Sequence, residues 1–216
     1  MMLLLGLFFS SLFCSVYTLQ CQNCQRGLGQ CSVTTSAQCQ TGSACAAARI
    51  SLDTSLLAGN TSVFRTCLDK NACTLLNATA SGVTFSAELG VINLFAFFSC
   101  CETDNCNNNN IPEPDTIPNG LKCATCNSLT DTVCNTTLSC VGNQNRCANG
   151  TVSAVPIFGP ITSRIVKGCV SKSFCDATQF AKISCCTGNM CNGSDAWLRL
   201  DLGLFLMVLM TTILLQ

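Results

Sequence analysis

The stretch CCTGNMCN, residues 185–192, has a near copy in CCETDNCN, residues 100–107. Each stretch closes a run of ten cysteines, one within residues 21–106 and the other within residues 123–191, and a further cysteine, Cys14, lies near the N-terminus. When the two runs are aligned on their first members, the first seven cysteines of each recur at a nearly constant offset. A fixed period of this kind is an internal repeat. The sequence therefore predicts two homologous domains.

The repeat breaks at one place, between the seventh and eighth cysteines of each run. This interval extends from Thr74 to Ser99 in the first run, but only from Asp176 to Ser184 in the second. Insertions are best tolerated in surface loops. We therefore expect the longer interval to lie at a surface tip.

Cysteine supplies 21 of the 216 residues. Domains of roughly 80 residues have marginal cores, and this cysteine content is typical of small domains held by disulfides in an oxidising compartment. The N-terminus agrees, because residues 1–13 are almost entirely apolar and small and polar residues follow them. We predict a signal peptide at 1–18. A membrane anchor is the less favoured alternative because the apolar run is short.

A second apolar run occupies positions 202–215. As a helix it would be about 21 Å long, against a hydrocarbon core of roughly 30 Å. Small residues and a short polar spacer precede it, which is the order found in glycosylphosphatidylinositol (GPI) attachment signals. We predict attachment at Asn192 or Gly193 and a propeptide at 194–216, with a marginal transmembrane helix as the alternative.

The chain has no histidine. This excludes Ser-His and Cys-His catalysis, and the sequence offers no other catalytic constellation, so we predict neither an enzyme nor a cofactor. Two Cys-x-x-Cys pairs, beginning at Cys21 and Cys123, have the spacing of zinc and redox sites. We predict no metal, because a secreted chain with ten cysteines in each domain has no reason to keep its thiols reduced.

The formal net charge is zero, but residues 121–193 carry 6 basic and 2 acidic side chains. The compartment argues against a nucleic-acid partner. A solvated basic face is the simplest interpretation, and attraction to an anionic glycan or an acidic partner surface is the alternative.

Between the cysteines the pattern favours strands and turns. In the first domain, runs rich in β-branched and apolar residues (46–57 and 62–67) flank a predicted Gly-Asn turn at 58–61. In the second domain, 152–157 and 161–167 flank a tip at 158–160. Residues 89–98 are apolar on every face, and periodicity cannot decide between a strand and a helical turn.

Residues 108–120 contain three prolines and no cysteine. We predict a linker there, partly stiffened by its prolines. Sequons predict exposed, glycosylated asparagines at Asn60, Asn77, Asn135 and Asn149. A further sequon, at Asn192, coincides with the predicted lipid site.

The opening Leu-x-Cys-x-x-Cys, the ten cysteines and the closing Cys-Cys-x-x-x-x-Cys-Asn of each domain resemble the urokinase-receptor and lymphocyte-antigen family. The resemblance covers nearly all of the mature chain, twice. It implies an all-β protein of two tandem disulfide-rich three-finger (snake-toxin-like) domains, at 19–107 and 121–192. It places the central finger between the fifth and sixth cysteines and the third finger between the seventh and eighth. The structure of the long interval 74–99 is not carried over.

The spacing alone leaves the cysteine pairing open, and the resemblance selects one arrangement. It implies the pairs Cys21–Cys45, Cys24–Cys31, Cys39–Cys67, Cys73–Cys100, Cys101–Cys106, Cys123–Cys147, Cys126–Cys134, Cys140–Cys169, Cys175–Cys185 and Cys186–Cys191. It also implies that the amides of Asn107 and Asn192 join the fingers by hydrogen bonds.

Members of this family are not usually enzymes; they bind proteins at cell surfaces or block receptors, proteases or phospholipases. The leading hypothesis is a GPI-anchored protein of the outer leaflet, on the extracellular face of the plasma membrane, that recognises an extracellular or cell-surface protein through its finger loops. The alternative is a soluble secreted inhibitor of an extracellular enzyme such as a phospholipase.

The candidate ligand contacts lie in the central finger of the second domain. Its predicted tip, Val155 to Ile161, is rich in apolar residues and contains two prolines, which lower the entropic cost of ordering it on a partner. We predict contacts by Ile157, Phe158, Arg164 and Lys167. The alternative is that Ile157 and Phe158 pack back onto the finger or the first domain. The corresponding tip of the first domain is predicted to be shielded by a glycan at Asn60.

Overall fold

The computed structural model of the protein describes residues 18–24, 31, 35–54, 57–128, 131, 133–152, 164–177 and 183–193. The predicted propeptide and positions 1–17 of the predicted signal peptide lie outside this range. Strands dominate the described residues, and each of the two α-helices has only six residues.

In chain order the elements are β1 (Gln20–Asn23), β2 (Thr35–Gln38), β3 (Ser43–Thr54), β4 (Leu57–Asp69), α1 (Lys70–Leu75), β5 (Val83–Glu88), β6 (Ile92–Cys101), a 3₁₀ helix (Cys106–Asn108), β7 (Pro118–Thr125), β8 (Thr136–Val141), β9 (Arg146–Val152), β10 (Arg164–Val170), α2 (Lys172–Ala177) and β11 (Ile183–Cys186).

Both domains have the three-finger architecture. In the first, β1 and β2 form the first finger, β3 and β4 the second, and β5 and β6 the third. In the second domain the corresponding pairs are β7–β8 and β9–β10, and β11 alone represents the third finger among the described residues. The all-β fold class predicted from the sequence is therefore confirmed.

One sheet runs through both domains. Its seven strands have the order β11-β9-β10-β5-β6-β3-β4, and neighbouring strands in this order are antiparallel. The junction is between β5 of the first domain and β10 of the second, where Glu88 lies opposite Cys169 and Ala87 opposite Val170. The two domains thus share backbone hydrogen-bonding across one sheet.

This large sheet has two different faces, because successive side chains of a strand point to opposite sides. In the first domain one face carries Cys45, Cys67 and Cys101 in a single row, and we call it the disulfide face. The opposite face, the front face, carries Ala46 and Cys100 in the next row. Helix α1 packs on the front face, to which the Cys73–Cys100 disulfide holds it.

The central finger of the first domain turns earlier than the sequence predicts. Cys45 lies opposite Cys67, and the same register continues to Leu52 opposite Asn60. Asn60 is therefore within β4, and the turn predicted at 58–61 is wrong.

The turn differs from the predicted one because the strand register is set at the disulfide end of the hairpin. Pairing fixed at the disulfide end propagates along the hairpin, with one register shift between Leu52 and Thr54, so the position of the turn follows from that end rather than from local turn residues. The last pair is Thr54 opposite Leu57, which leaves two connecting residues. Gly59 does not adopt a positive φ, so the Gly-Asn signal is not used in a turn.

The apolar run 89–98, which the sequence left undecided, is a turn followed by a strand. Gly90 has φ +81° at the centre of the turn, and the Leu89 N–H donates to the Ile92 carbonyl at 2.8 Å. Strand β6 lies between β5 and β3, with Phe95 and Phe97 buried on its disulfide face. The continuous apolar pattern therefore belongs to an interior strand.

The predicted linker 108–120 overlaps regular structure at both ends. Asn108 belongs to the 3₁₀ helix, and β7 already begins at Pro118, which lies opposite Val141. A register shift follows before Lys122. The residues between the two domains that lie outside regular elements are 109–117.

Candidate functional site

Ten disulfides hold the two domains, five in each. They are Cys21–Cys45, Cys24–Cys31, Cys39–Cys67, Cys73–Cys100, Cys101–Cys106, Cys123–Cys147, Cys126–Cys134, Cys140–Cys169, Cys175–Cys185 and Cys186–Cys191. They are the same pairs as those implied by the family resemblance, and none of them crosses between the domains.

Among the described residues, two groups of three cysteines bring their sulfur atoms close together. One contains Cys21, Cys39 and Cys67, and the other is its counterpart in the second domain. Each group consists of sulfurs from two neighbouring disulfides, with the Cys39 and Cys21 Sγ atoms 3.0 Å apart. Metal ligation requires thiolates, and disulfide sulfurs do not provide them.

The closing asparagines are buried at the base of the fingers. Asn107 accepts from the Gln22 N–H at 2.9 Å and donates to the carbonyls of Gln22 and Ala46, both at 2.9 Å. Asn192 makes the equivalent bonds, accepting from the Ala124 N–H at 2.8 Å and donating to the Ala124 and Ala148 carbonyls. Each amide therefore links the first finger of its domain to the second finger of the same domain.

The third finger of the first domain ends against the second domain. A Cβ added to Gly90, at the tip, would collide with the Cys126 carbonyl, and a Cβ on Gly168 of β10 would collide with the Glu88 carbonyl. Only glycine permits such close approach of two backbones. The tip of this finger is therefore occupied by the contact between the domains.

Buried polar groups continue this contact. Gln144 is 1% exposed, donates to Ser86 Oγ at 3.0 Å and accepts from the Val141 N–H at 3.0 Å. The Ser171 N–H donates to the Ser86 carbonyl at 2.8 Å, and the Ser86 N–H donates to Ser171 Oγ at 3.1 Å. Polar groups buried with partners on both sides favour one specific docking of the domains.

An apolar cluster lies beside the polar contacts. It contains Ala87 and Leu89 from the first domain and Ala148, Val166 and Val170 from the second. All five residues are buried. The long third finger of the first domain thus forms the interdomain joint, by which we mean the β5–β10 pairing, its buried polar contacts and this cluster.

The second finger of the second domain extends beyond β5, its neighbour in the first domain. The β9–β10 pairing continues to Val152 opposite Arg164, and the described residues of β11 pair with β9 from Cys147 to Gly150. On the other side β5 pairs with β10 only at residues 169 and 170. Ile165, near the end of the hairpin, is 39% exposed.

The predicted ligand contacts fall on or beyond this hairpin. Ile157 and Phe158 lie outside the described residues, as does the whole of the predicted apolar tip. Positions 164 and 167 both belong to β10. Because they are three residues apart in one strand, Arg164 and Lys167 occupy positions on opposite faces of the hairpin. The strand therefore does not bring these two predicted residues together on one face.

The described positions of the predicted glycosylation sites differ. Asn77 and Asn135 are exposed, and Asn77 has a left-handed backbone with φ 52°. Asn149 is only half-buried and lies in β9, between Lys167 of β10 and Ser184 of β11. Glycosylation of Asn149 therefore stays a prediction, at a partly exposed position in an interior strand of the sheet.

The front face of the first domain contains an apolar recess of about 240 Å³. Ala48 lies between Phe64 of β4 and Phe98 of β6 in one row of the register, and helix α1 closes one end with Ala72 and its C-cap residue Leu76. A small residue between two large ones leaves space above it. Sequence reasoning missed this site, because the alternation of alanine and phenylalanine becomes a recess only once the register is known.

Comparison with known proteins agrees with this architecture. The sequence model of the u-PAR/Ly-6 domain family matches residues 17–109 and 119–194. The chain belongs to the u-PAR/Ly-6 family. The urokinase plasminogen activator surface receptor of Bos taurus is 31% identical over 111 residues, 45% of this chain and 33% of the relative. A phospholipase A2 inhibitor of the gamma type from Elaphe climacophora is 38% identical over 88 residues, 39% of this chain and 43% of the relative.

The matched part of this u-PAR/Ly-6 chain spans less than half of the length of each of these relatives. Among solved structures, mouse TEX101 aligns with 79% of the chain and 99% of its own chain, at a TM-score of 0.33 and 13% identity. Within the part of the chain that the structure describes, no helix is both long and apolar enough to cross a membrane.

Proposed function

We propose that this u-PAR/Ly-6 protein is a non-enzymatic binding protein of the extracellular face of the plasma membrane, and that it recognises a protein ligand through the second finger of its second domain. The observation that carries the proposal is the extension of the β9–β10 hairpin beyond β5. A protruding hairpin that continues into an apolar, proline-containing segment offers a partner a compact anchor at low entropic cost.

The interdomain joint supports this choice of finger. Since the third finger of the first domain contacts the second domain through Gly90, its tip is not available to a ligand. Disulfides in both domains fit an extracellular location.

The finger is tested by the double substitution Ile157→Ser with Phe158→Ala. We expect it to abolish capture of the protein ligand from surface-biotinylated native tissue, measured by quantitative mass spectrometry. Val133→Ser is the matched control, because Val133 is also apolar and 67% exposed but lies outside this finger. Unchanged capture by the double variant, with normal secretion, would refute the proposed site.

We further propose that a GPI anchor holds the protein to the outer leaflet. The predicted attachment residue is Asn192 or Gly193, and because the lipid joins the α-carboxyl of that residue, the three hydrogen bonds of the Asn192 side chain are compatible with either position. The Asn192 side chain is 2% exposed, which argues against glycosylation of its sequon.

The anchor predicts that phosphatidylinositol-specific phospholipase C moves the native protein from the detergent phase to the aqueous phase. Mass spectrometry of the C-terminal peptide would then identify the modified residue. Retention in the detergent phase after treatment would indicate a different attachment to the membrane.

The second candidate function is a soluble inhibitor of a secreted phospholipase. It is favoured by the similarity of this chain to the gamma-type phospholipase A2 inhibitor. This alternative predicts a native protein that is aqueous before any treatment and that lowers secreted phospholipase activity, and the phase-separation experiment separates the two functions directly.

A further inference from the structure

A second cavity, of about 530 Å³, lies on the disulfide face of the first domain beneath the chain that joins the domains. We call it the linker cleft. Its walls come from β3 and β4, which contribute Arg49 and Arg65, and from the joining segment, which contributes Asn110, Ile111, Pro112 and Glu113. The cleft is separate from the finger proposed to bind protein, which belongs to the second domain.

Two arginines fix the joining segment over the cleft. Arg65 donates to the carbonyls of Asn107 and Asn109, the latter at 2.9 Å. Arg49 Nη1 lies 3.1 Å from Glu113 Oε1. The chain between these two attachments, 110–112, therefore forms an arch over the sheet.

The arginines share one face of the sheet. Arg65 lies opposite Ala47, and Arg49 lies two residues further along β3. Since positions two apart in a strand point to the same side, the two guanidinium groups belong to diagonally adjacent positions. The cleft lining contains two guanidinium groups but one carboxylate, that of Glu113.

The hydrogen bonding of Arg49 is incomplete. Its side chain is 12% exposed, and its Nε is the one buried side-chain nitrogen or oxygen without a partner among the described residues. Guanidinium groups offer five donors in a planar fork suited to oxyanions. Burial also lowers the pKa of Arg65, as expected for a charge that its surroundings compensate only in part.

We propose that the linker cleft binds an anionic sugar, whose carboxylate or sulfate accepts hydrogen bonds from Arg49 and Arg65. The cleft volume falls within the roughly 300–1,000 Å³ range of small-molecule sites. Asn110 supplies a polar group for sugar hydroxyls, and Ile111 and Pro112 supply apolar surface for a ring face. The two guanidinium groups in the wall favour a charged ligand over an apolar side chain of a protein.

Glu113 acts as an internal competitor in this proposal. Its side chain is 71% exposed, so the carboxylate becomes hydrated when it leaves Arg49. A ligand anion can therefore replace the Glu113 carboxylate at Arg49 without disrupting the domain.

The test is titration of the mature, isotope-labelled protein, followed through the Arg Nε–Hε resonances in NMR spectra. The probes are N-acetylneuraminic acid, which carries a carboxylate, a sulfated heparin disaccharide, and inorganic sulfate. We expect saturable shifts at Arg49 with one of the sugars, and the responding sugar distinguishes a sialylated from a sulfated source.

Three variants test the roles of the residues. Arg49→Lys keeps the charge but removes the planar fork of the guanidinium group, so binding should weaken about tenfold, comparable to the loss of one charge-assisted hydrogen bond. Glu113→Gln should tighten binding by about threefold or more, because the competing carboxylate is removed. Lys70→Gln is the control, since Lys70 pairs with Glu102 outside the cleft.

Three results would contradict the proposal or one of its parts. An absence of saturable shifts with both sugars would refute the site, and an equal response to inorganic sulfate would reduce it to an unspecific ion site. Weaker binding by Glu113→Gln would overturn the competitor role. Normal spectra for both cleft variants, compared with Lys70→Gln, would exclude misfolding as the cause of a loss.

Discussion

At the level of the residue, the two closing motifs share one backbone angle but place different side chains on it. Asn105 in the first domain and Met190 in the second both have left-handed backbones, with φ 54° and 56°. Each N–H group donates to a carbonyl of the strand that opens its domain: the Asn105 N–H to the Gln20 carbonyl and the Met190 N–H to the Lys122 carbonyl, both at 2.7 Å. Asparagine tolerates this conformation, whereas methionine is strained in it.

We therefore predict that Met190→Asn, which installs the residue of the first repeat, stabilises the protein by about 0.5–1 kcal/mol. Chemical denaturation of the disulfide-intact protein measures the change. Met190→Leu serves as the control and should bring no gain, because leucine is no better suited to a positive φ. Equal effects of the two substitutions would assign the gain to the side chain rather than to the backbone.

Glu88 makes the joint sensitive to pH. Burial raises the pKa of the Glu88 carboxyl above its ordinary value of 4.5. The folded state therefore binds this proton more tightly than the unfolded state, and the contribution of Glu88 to stability falls as the pH rises from about 4.5 through the raised pKa.

Glu88→Gln should thus stabilise the protein at neutral pH and should change its stability little well below pH 4.5. Unfolding measured across this range checks the sign. A variant that is less stable than the wild type at neutral pH would show that the ionised carboxylate is favoured at the joint.

At the level of the element, the sequence predicts pairings better than turns. The cysteine pattern and the family resemblance were sufficient for the all-β class and the two three-finger domains. They were insufficient for the tip of the first central finger, because the register counted from Cys45 and Cys67 overrides the Gly-Asn signal at 59–60. The front recess and the linker cleft also depend on which residues lie opposite one another, which no local pattern encodes.

The β5–β10 pairing can be disrupted by a substitution at Gly168. Gly168→Ala places a methyl group against the Glu88 carbonyl, and overpacking of this kind typically costs about 1–3 kcal/mol. The expected result is a second, separate unfolding transition, because the two domains lose their shared sheet. Gly59→Ala is the matched control: it also lies in a strand, but its new methyl would be 3.5 Å from the nearest atom. Two transitions in both variants would contradict a specific role for the joint.

For the whole molecule, the joint explains the difference in length between the repeats. The interval between the seventh and eighth cysteines covers 74–99 in the first domain and only 176–184 in the second. The extra length forms strands β5 and β6 up to the tip at Gly90, and β5 pairs with the following domain. The sequence indicated a surface tip for this interval, and the structure instead places the tip against the second domain.

The same geometry predicts how the first domain behaves alone. A fragment of residues 19–117 would expose the β5 edge together with the apolar Ala87 and Leu89, which the joint buries. Unpaired edges with apolar neighbours associate with further strands. We expect this fragment to dimerise or aggregate at concentrations at which the full chain is monomeric, as measured by light scattering after gel filtration.

In the same fragment, Ala87→Lys should restore the monomer by placing a charge on the unpaired β5 edge. A fragment that is monomeric without this substitution would mean that the exposed β5 edge and its apolar neighbours do not drive association on their own.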